Sequence, residues 1–349
     1  MTLRVGLVGI GMWGPNILRN LLENENVEVT LLCDSNEKRL VEIAKKFRLY
    51  GKSILAQNVK DVKSSDCDAI FISTPAKTHY EIARHFLNMG KHTFVEKPLA
   101  MNVSDALELC TIADLEKDGQ YVGYGNERKD TLKLLTGHVF LYSESVKKIK
   151  ELIKDDKILY MYFTWTNLGR IQEDINSMWS LAPHSISIAN YLMDGTPVKD
   201  GIQATGCSFV TKGIEDVVFM NLTYEGDRMA HIHASWLDPL KTRSCVIVCQ
   251  KKMIVWSDTD NEAPIKVYDK GAEKDYLAGD ERLIYTTKLR SGDIYIPKIQ
   301  IKEPLREEIN HFISAIINDT EVFTNGLQGL QVVEILEQAQ KSLKISENI

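Results

Sequence analysis

The feature that most constrains the fold is a glycine-rich turn near the start of the chain. The largely apolar residues 4–8 lead into Gly9, Gly11 and Gly14 with the spacing G-x-G-x-x-G, and Asp34 follows further on. In a dinucleotide-binding βαβ unit, the first glycine permits a sharp turn off the strand. The second leaves room for a pyrophosphate, and the third lets the helix pack against the sheet. The pattern therefore predicts a strand, a phosphate-binding turn and a helix whose N-terminus faces the phosphates.

The residues around this turn favour the same interpretation. Residues 27–33 are typical of a second apolar strand, and Asp34 stands at its carboxyl end, where a ribose hydroxyl would lie. Met12 and Trp13 lie within the turn and are predicted to line a bound dinucleotide, together with the three glycines.

The same segment predicts NAD rather than NADP. The carboxylate of Asp34 accepts a hydrogen bond from a ribose hydroxyl but repels a 2′-phosphate. Residues 35–36 carry no positive charge. Lys38 and Arg39 do, but they fit the exposed face of the helix that follows.

Length and charge limit the remaining possibilities. A chain of 349 residues is too long for one small core, so two domains are expected. The apolar fraction of 44% and the charged fraction of 26% are typical of a globular protein. A formal net charge of -6 argues against nucleic acid or an anionic membrane as a partner.

Targeting signals and cysteine usage indicate a cytoplasmic protein. No stretch is long and apolar enough to span a bilayer, and the first strand begins without the charged-then-apolar pattern of a signal peptide. The six cysteines include no C-x-x-C pair, and several stand in apolar runs such as residues 245–249. They are predicted to be reduced and buried.

Strand and helix signals alternate in the first part of the chain. Residues 68–75 and 91–95 are strand-like, whereas 78–90 and 104–116 are helical. This alternation predicts a doubly wound parallel sheet that binds ligands at the carboxyl ends of its strands. The loops at these ends supply further candidate residues for the cofactor, namely Ser73, Thr74, Pro75, His79, Glu96 and Lys97.

From about residue 159 the pattern changes to successive strands without intervening helices. Such a series predicts a mainly antiparallel sheet, which helices at 183–193, 305–318 and 329–343 complete as an α+β domain. The domain boundary is placed near residue 137. Residues 1–137 are predicted to form a dinucleotide-binding Rossmann domain and residues 138–349 a substrate-binding domain.

Six motifs occur in an order and spacing that resemble one known family. The chain resembles the glucose–fructose oxidoreductase / inositol dehydrogenase / MocA family over nearly its whole length. The motifs are the turn at 11–16, residues 73–79, Glu96-Lys97-Pro98, residues 137–142, Trp179-Ser180-Leu181-Ala182-Pro183-His184, and residues 303–305.

The resemblance implies an NAD-dependent oxidoreductase that transfers a hydride between a sugar carbinol and nicotinamide. It implies that Lys97 contacts the reacting hydroxyl and that His184 exchanges its proton. The second domain of the family is an open-faced antiparallel sheet, often used for oligomerisation, so a homo-oligomer (dimer or tetramer) is expected. The turn at 11–16 and the stretch 181–184 resemble the branch acting on sugar nucleotides in polysaccharide biosynthesis.

Two departures from the family pattern stand out. Relatives usually have Asp four residues before the motif histidine, whereas this chain has Ser180, which can hydrogen-bond but carries no charge. Residues 119–130 are extra chain. Residues 122–123 and 136–137 could each supply the family's next strand, and the second is preferred because residues 140–142 continue the motif.

Three further candidates each have a functional and a structural interpretation. Arg170 could pair with a substrate diphosphate or lie in a surface loop. Ser180 could contact substrate beside His184. His231 and His233 are two residues apart, so on a strand they point to the same face, as two metal ligands would. No third ligand with suitable spacing is evident, so they are interpreted as sheet-face residues and no metal is predicted.

Two classes of function remain open from the sequence. The first is an NAD-dependent dehydrogenase of a sugar or sugar nucleotide, with a free polyol of the inositol type as an alternative substrate. The second is a non-catalytic dinucleotide sensor or regulator of the same fold. Lys97 and His184 favour the enzyme, and Ser180 favours the regulator.

Overall fold

The computed structural model divides the chain into two units, neither of which is a continuous segment. The first comprises Met1–Tyr142 and Lys302–Glu337, and the second comprises Ser143–Ile301 and Gln338–Ile349. The structure describes residues 2–113, 116–117, 120–121, 132–169, 171–276 and 285–346.

The first unit begins with alternating strands and helices, as predicted. In chain order they are β1 (Leu3–Val8), α1 (Gly14–Leu22), β2 (Val27–Cys33), α2 (Glu37–Lys46), β3 (Ile54–Ala56), β4 (Ala69–Ile72), α3 (His79–Asn88), β5 (His92–Glu96), α4 (Val103–Ile112), β6 (Glu116–Lys117), β7 (Gln120–Tyr121) and β8 (Leu134–Gly137).

Six of these strands form one parallel sheet in the order β3-β2-β1-β4-β5-β8. The order reverses between β1 and β4, which is the switch point at which α/β sheets bind ligands. The predicted doubly wound Rossmann sheet is confirmed. Gly137 pairs with Glu96, so the strand at 136–137 is the one that continues the sheet.

The second unit consists of α5 (Glu144–Leu152), β9 (Ile158–Thr166), α6 (Ser177–Met193), β10 (Ile202–Cys207), β11 (Val217–Tyr224), β12 (Arg228–Ser235), β13 (Thr242–Cys249), β14 (Met253–Ser257), β15 (Ile265–Tyr276) and β16 (Tyr285–Tyr295). Two helices follow, α7 (Pro304–Ile317) and α8 (Gly326–Ser346).

The eight strands of this unit form a sheet in the order β10-β11-β12-β9-β13-β14-β15-β16. Every neighbouring pair is antiparallel except β12 and β9. Helix α6 packs on one face against β9, β11 and β12. Tyr160, Tyr162 and Phe219 are exposed on the other face. The predicted mainly antiparallel, open-faced sheet is confirmed.

Helix α7 belongs to the first unit, whereas the sequence placed it in the second domain. Its Phe312 ring packs edge-on against Phe71 of β4 at 5.6 Å and lies 6.0 Å from Phe94 of β5. Leu305 and Ile309 join the same buried core. This packing joins segments distant in sequence, so local periodicity could not indicate it.

Helix α6 begins six residues before the predicted start at Pro183. Asn176 caps it by accepting the backbone N–H of Trp179 at 3.0 Å. Pro183 lies inside the helix, where it removes one backbone hydrogen bond. No helix among the described residues combines the length and apolar character needed to cross a bilayer.

Candidate functional site

The glycine-rich turn joins β1 to α1 by close backbone contacts. Gly9 has a φ of +89°, and a Cβ there would lie 2.7 Å from the backbone of Ser73. A Cβ on Gly14 would overlap the carbonyl oxygen of Gly9. Nothing lies within 4 Å of the Cβ position of Gly11. The turn therefore needs glycine at its two ends and leaves open space at its middle.

Asp34 lies at the end of β2 and is bonded to the same turn. One carboxylate oxygen accepts the N–H of Ile10 at 2.7 Å, and the other accepts the N–H of Asn36 at 2.8 Å. A carboxylate has about four acceptor sites, so Asp34 can also accept a ribose hydroxyl. The side chain thus orders the turn in addition to its predicted role.

Arg39 does not simply face solvent on α2, as the sequence suggested. Its Nε donates to the carbonyl of Ile10 at 3.2 Å, and its guanidinium pairs with Glu42 at 3.0 Å. A positive charge therefore lies beside the turn, near Asp34.

The loop after β4 carries Ser73, Thr74 and Pro75 to this edge of the sheet. Ser73 Oγ donates to the carbonyl of Gly9 at 3.2 Å. His79 is buried, and its ring nitrogens lie 2.7 Å from the carbonyl of Pro98 and 2.9 Å from that of Thr74. Burial lowers the pKa of His79. His79 therefore connects the loop after β4 to the loop after β5.

A cavity of about 600 Å³ lies at these strand ends. This volume is within the range of small-molecule and cofactor sites. Its lining includes Val8, Gly9, Gly11, Cys33, Asp34, Ser73, Thr74, Pro75 and Thr78. The open space at Gly11, the amino end of α1 and the carboxylate at β2 fit a dinucleotide.

Trp13 and Glu96 connect the turn to the end of β5. The indole N–H of Trp13 donates to Glu96 at 2.7 Å, and the backbone N–H of Lys97 donates to the other carboxylate oxygen at 3.3 Å. Burial raises the pKa of Glu96 to about 7, although the charge of Lys97 and these two donors oppose the shift. Met12, by contrast, is exposed.

Two buried titratable side chains lie near this strand end. The sequence analysis assigned a role to neither, although His138 belongs to the motif at residues 137–142. Glu308 on α7 is fully buried, and neither of its carboxyl oxygens accepts a hydrogen bond from a described residue. Burial, and next the charge of Glu96, raise the pKa of Glu308 well above its usual value. Burial lowers the pKa of His138 to about 3, and Lys97 contributes to the shift. Burial therefore favours the neutral form of both side chains.

In the second unit, His184 and Ser180 lie one turn apart on α6. Ser180 is buried, and its hydroxyl accepts a hydrogen bond from the side chain of Gln172 at 3.2 Å. The His184 ring lies 5.7 Å from the Trp165 ring of β9. Asn176, the N-cap of this helix, also donates to Glu215 at 2.5 Å.

Arg170 and most of the extra segment at 119–130 lie outside the described residues. Arg243 of β13 is described: its guanidinium carbon lies 6.0 Å from the Trp165 ring centroid. The sequence analysis did not select it. The arrangement of β13 beside β9, with Arg243 opposite Trp165, could have identified it only once the sheet order was known.

His231 and His233 lie on the open face of the sheet. His231 Nδ1 lies 2.8 Å from the amide oxygen of Asn221, and the His233 ring stacks on Phe219 at 4.5 Å. Within the described part of the chain, no three His, Cys, Asp or Glu side chains form a group that could hold a metal ion.

The parallel sheet, its glycine turn and the acidic end of β2 define an NAD-binding oxidoreductase fold, and comparison with known families agrees. The NAD-binding Rossmann model of the GFO/IDH/MocA oxidoreductase family matches residues 3–124, and the C-terminal domain model of that family matches residues 165–255. The chain belongs to this family.

Individual relatives are distant. An uncharacterized oxidoreductase of Streptococcus pneumoniae is 23% identical, over 65% of this chain and 61% of its own length. The oxidoreductase YrbE of Bacillus subtilis is 22% identical, over 97% of this chain and 93% of its own. The solved structure of UDP-N-acetylglucosamine 3-dehydrogenase GnnA from Acidithiobacillus ferrooxidans is 20% identical, covers 99% of both chains and has a TM-score of 0.78.

The first prediction concerns the choice between NAD and NADP. Two like charges about 4 Å apart repel by roughly 1 to 4 kcal/mol near a protein surface. Asp34→Asn keeps an acceptor for the N–H of Ile10 but removes the negative charge. We therefore expect the variant to bind NADP at least about tenfold more tightly than the unmodified chain does. Titration of both cofactors measures this, and Asp34→Asn with Arg39→Gln should lose the gain. Tighter NADP than NAD binding to the unmodified chain would contradict the role of Asp34.

The second prediction concerns the neutral state of Glu308. Burial raises the folded-state pKa of Glu308 well above the ordinary value of a glutamate, so folding takes up a proton and becomes less favourable as the pH rises above that ordinary value. Glu308→Gln mimics the protonated acid. We compare the Tm of Glu308→Gln with the Tm of the unmodified chain at each pH. From pH 5 to pH 8, this difference should shift in favour of the variant by at least about 2 °C. Glu307→Gln, one residue earlier on α7, is the control, and an equal pH dependence in both variants would contradict a neutral Glu308.

Proposed function

We propose that this chain is an NAD-dependent dehydrogenase that acts on a CH–OH group of a sugar or nucleotide-linked sugar. The observation that carries the proposal is the position of Lys97. It follows β5 directly, at the same edge of the parallel sheet as the glycine turn, and its neighbour Glu96 is hydrogen-bonded to Trp13 of that turn. A cation at this edge stands where the reactive end of a dinucleotide is expected.

Lys97 is proposed to hold the reacting hydroxyl. When bound, NAD accepts the hydride of the carbinol C–H bond. The ammonium group donates to the hydroxyl oxygen and stabilises the negative charge that develops there as the proton leaves. Glu96 positions this residue, because its carboxylate accepts the backbone N–H of Lys97.

His184 is proposed to accept the hydroxyl proton as the hydride leaves. Imidazole suits reversible proton transfer near neutral pH. In the family pattern an Asp would stand at position 180; here the uncharged Ser180 hydroxyl accepts from Gln172 instead. We propose that the pair of Gln172 and Ser180 fixes the first turns of α6 without adding a negative charge near His184.

The alternative is a non-catalytic sensor with the same fold. It predicts NAD binding without turnover on any sugar, whereas the enzyme predicts NAD reduction with at least one member of a sugar and sugar-nucleotide panel. Measurement of NADH absorbance over such a panel separates the two.

The third prediction tests the catalytic roles. We expect Lys97→Met and His184→Ala each to lower kcat by about 10²–10⁴-fold, because positioning or proton transfer is lost. NAD affinity should change little, since neither side chain lies at the glycine turn. Lys91→Met, at the opposite end of β5, is the matched control. Near-normal activity of either variant on the preferred substrate would refute its assigned role.

The substrate is proposed to be a nucleotide-linked sugar rather than free glucose or inositol. The likeness to a UDP-N-acetylglucosamine 3-dehydrogenase supports this class. So does the stretch 181–184, and Arg170 is a candidate partner of the diphosphate. Binding energy from a remote nucleotide would help orient the sugar ring, which a small polyol cannot provide. Such a substrate would suit polysaccharide biosynthesis in the cytoplasm.

The fourth prediction follows from this substrate class. UDP or a related nucleoside diphosphate should compete with substrate, and Arg170→Ala should weaken that competition. Initial rates at several UDP concentrations measure it. Efficient oxidation of a free polyol, with no affinity for any nucleoside diphosphate, would assign the chain to the polyol branch instead.

The open face of the second sheet is proposed to be covered by another copy of the chain. Tyr160, Tyr162, Phe219 and Met229 are exposed together on β9, β11 and β12, and large apolar patches of this kind mark interaction surfaces. Closed pairing of two such faces would bury them symmetrically.

The fifth prediction concerns this assembly. Sedimentation analysis should show a dimer or tetramer, and Tyr162→Glu combined with Phe219→Glu should reduce it to a smaller species, because charge would be buried without a partner. Ile317→Glu, an exposed apolar position on α7, should leave the assembly unchanged. A monomeric unmodified chain would refute the proposal.

A further inference from the structure

Arg243 lies at one end of a row of buried apolar side chains, on the face of the second sheet that helix α6 covers. Alternation along β13 places it on the same face as Cys245 and Ile247, both of which are buried. The Arg243 side chain is 37% exposed at the start of the strand. A partly exposed guanidinium at the end of an otherwise apolar row is a candidate partner for an anionic ligand.

The neighbours of Arg243 connect it to His184. Arg243 lies opposite Trp165 in the register of β13 and β9, and its guanidinium carbon is 6.0 Å from the centre of that ring. The His184 ring lies 5.7 Å from the same ring, and Trp256 lies 6.0 Å from it. Arg243 and His184 therefore both lie beside the Trp165 ring.

Asp258 is the acidic neighbour of Arg243. Its carboxylate lies 3.4 Å from Nη1 of Arg243, and its backbone N–H donates to the Arg243 carbonyl at 2.8 Å. Both side chains are partly exposed, so this long ion pair contributes little to stability. Asp258 can hold the guanidinium in place and can also compete with an anionic ligand for it.

We propose that Arg243 binds the diphosphate of the nucleotide-linked sugar whose hydroxyl is oxidised at His184, and so determines substrate specificity. This inference rests on the proposed function. A guanidinium forms paired hydrogen bonds with phosphate oxygens, which a lysine cannot reproduce. Because Arg243 and His184 both lie beside Trp165, one substrate could reach both side chains.

Direct titration of the NAD-loaded protein with UDP tests the proposal without requiring turnover. Arg243→Gln should raise the Kd for UDP about tenfold or more, because hydrogen bonds to charged groups are lost. Arg243→Lys should recover only part of the affinity. With a nucleotide-linked sugar, Arg243→Gln should raise KM by a similar factor and leave kcat within a few-fold.

Asp258→Asn separates a ligand contact from a structural ion pair. If Arg243 binds phosphate, this variant should bind UDP as tightly as the unmodified chain or more tightly, since the competing carboxylate is neutralised. Arg228→Gln is the matched control, because Arg228 on β12 donates only to the backbone carbonyls of Glu225 and Met193 among the described residues. It should leave UDP affinity unchanged.

Several results would overturn the inference. These are an unchanged UDP affinity in Arg243→Gln, an Asp258→Asn variant that loses UDP binding as Arg243→Gln does, or an unmodified chain that does not bind UDP. If Arg243→Gln loses affinity only for sugars that carry a carboxylate, Arg243 binds that carboxylate, and its proposed role in binding the diphosphate is refuted. Oxidation of nucleotide-linked sugars that survives in Arg243→Gln with unchanged KM overturns this inference alone, whereas a chain that oxidises no sugar overturns the proposed function.

Discussion

The close approach of Gly9 and Gly14 is the steric constraint on which the cofactor side of the structure depends. A Cβ on Gly14 would overlap the Gly9 carbonyl, so only glycine lets α1 start directly above the end of β1. This placement brings the Trp13 indole to Glu96 at the end of β5. The hydrogen bond thereby connects the turn to the strand end before Lys97 within the first unit.

Burial near the end of β5 shifts the pKa values of three neighbouring side chains, Glu308, His138 and Glu96. Burial favours protonated Glu308 and neutral His138. It also raises the pKa of Glu96 to about 7, although Lys97 and hydrogen bonds oppose that shift. The negative charge that Glu96 places beside Lys97 therefore depends on pH near neutrality. Titration of Glu96 near pH 7 would change the field around Lys97 within the pH range of a cell.

Local sequence patterns predicted most of the elements and the sheet edge that carries the candidate site. Alternating strands and helices, Asp34 and the residues at 73–75 and 96–98 lie where periodicity and turn chemistry placed them. Pro183 was misleading, because the Asn176 cap and tertiary packing extend α6 on both sides of it. Glu308 and Arg243 were missed because no local motif marks them. Glu308 stands out only by its burial, and Arg243 only by the position of β13 beside β9.

The division of the first unit into two chain segments has a consequence for biosynthesis. Phe71 and Phe94 obtain their packing partner Phe312 from a helix near the other end of the chain. During vectorial synthesis on the ribosome, the whole intervening unit must emerge before that helix does. The nascent sheet therefore lacks this packing partner, and keeps that part of its apolar face uncovered, for the time needed to translate the insert.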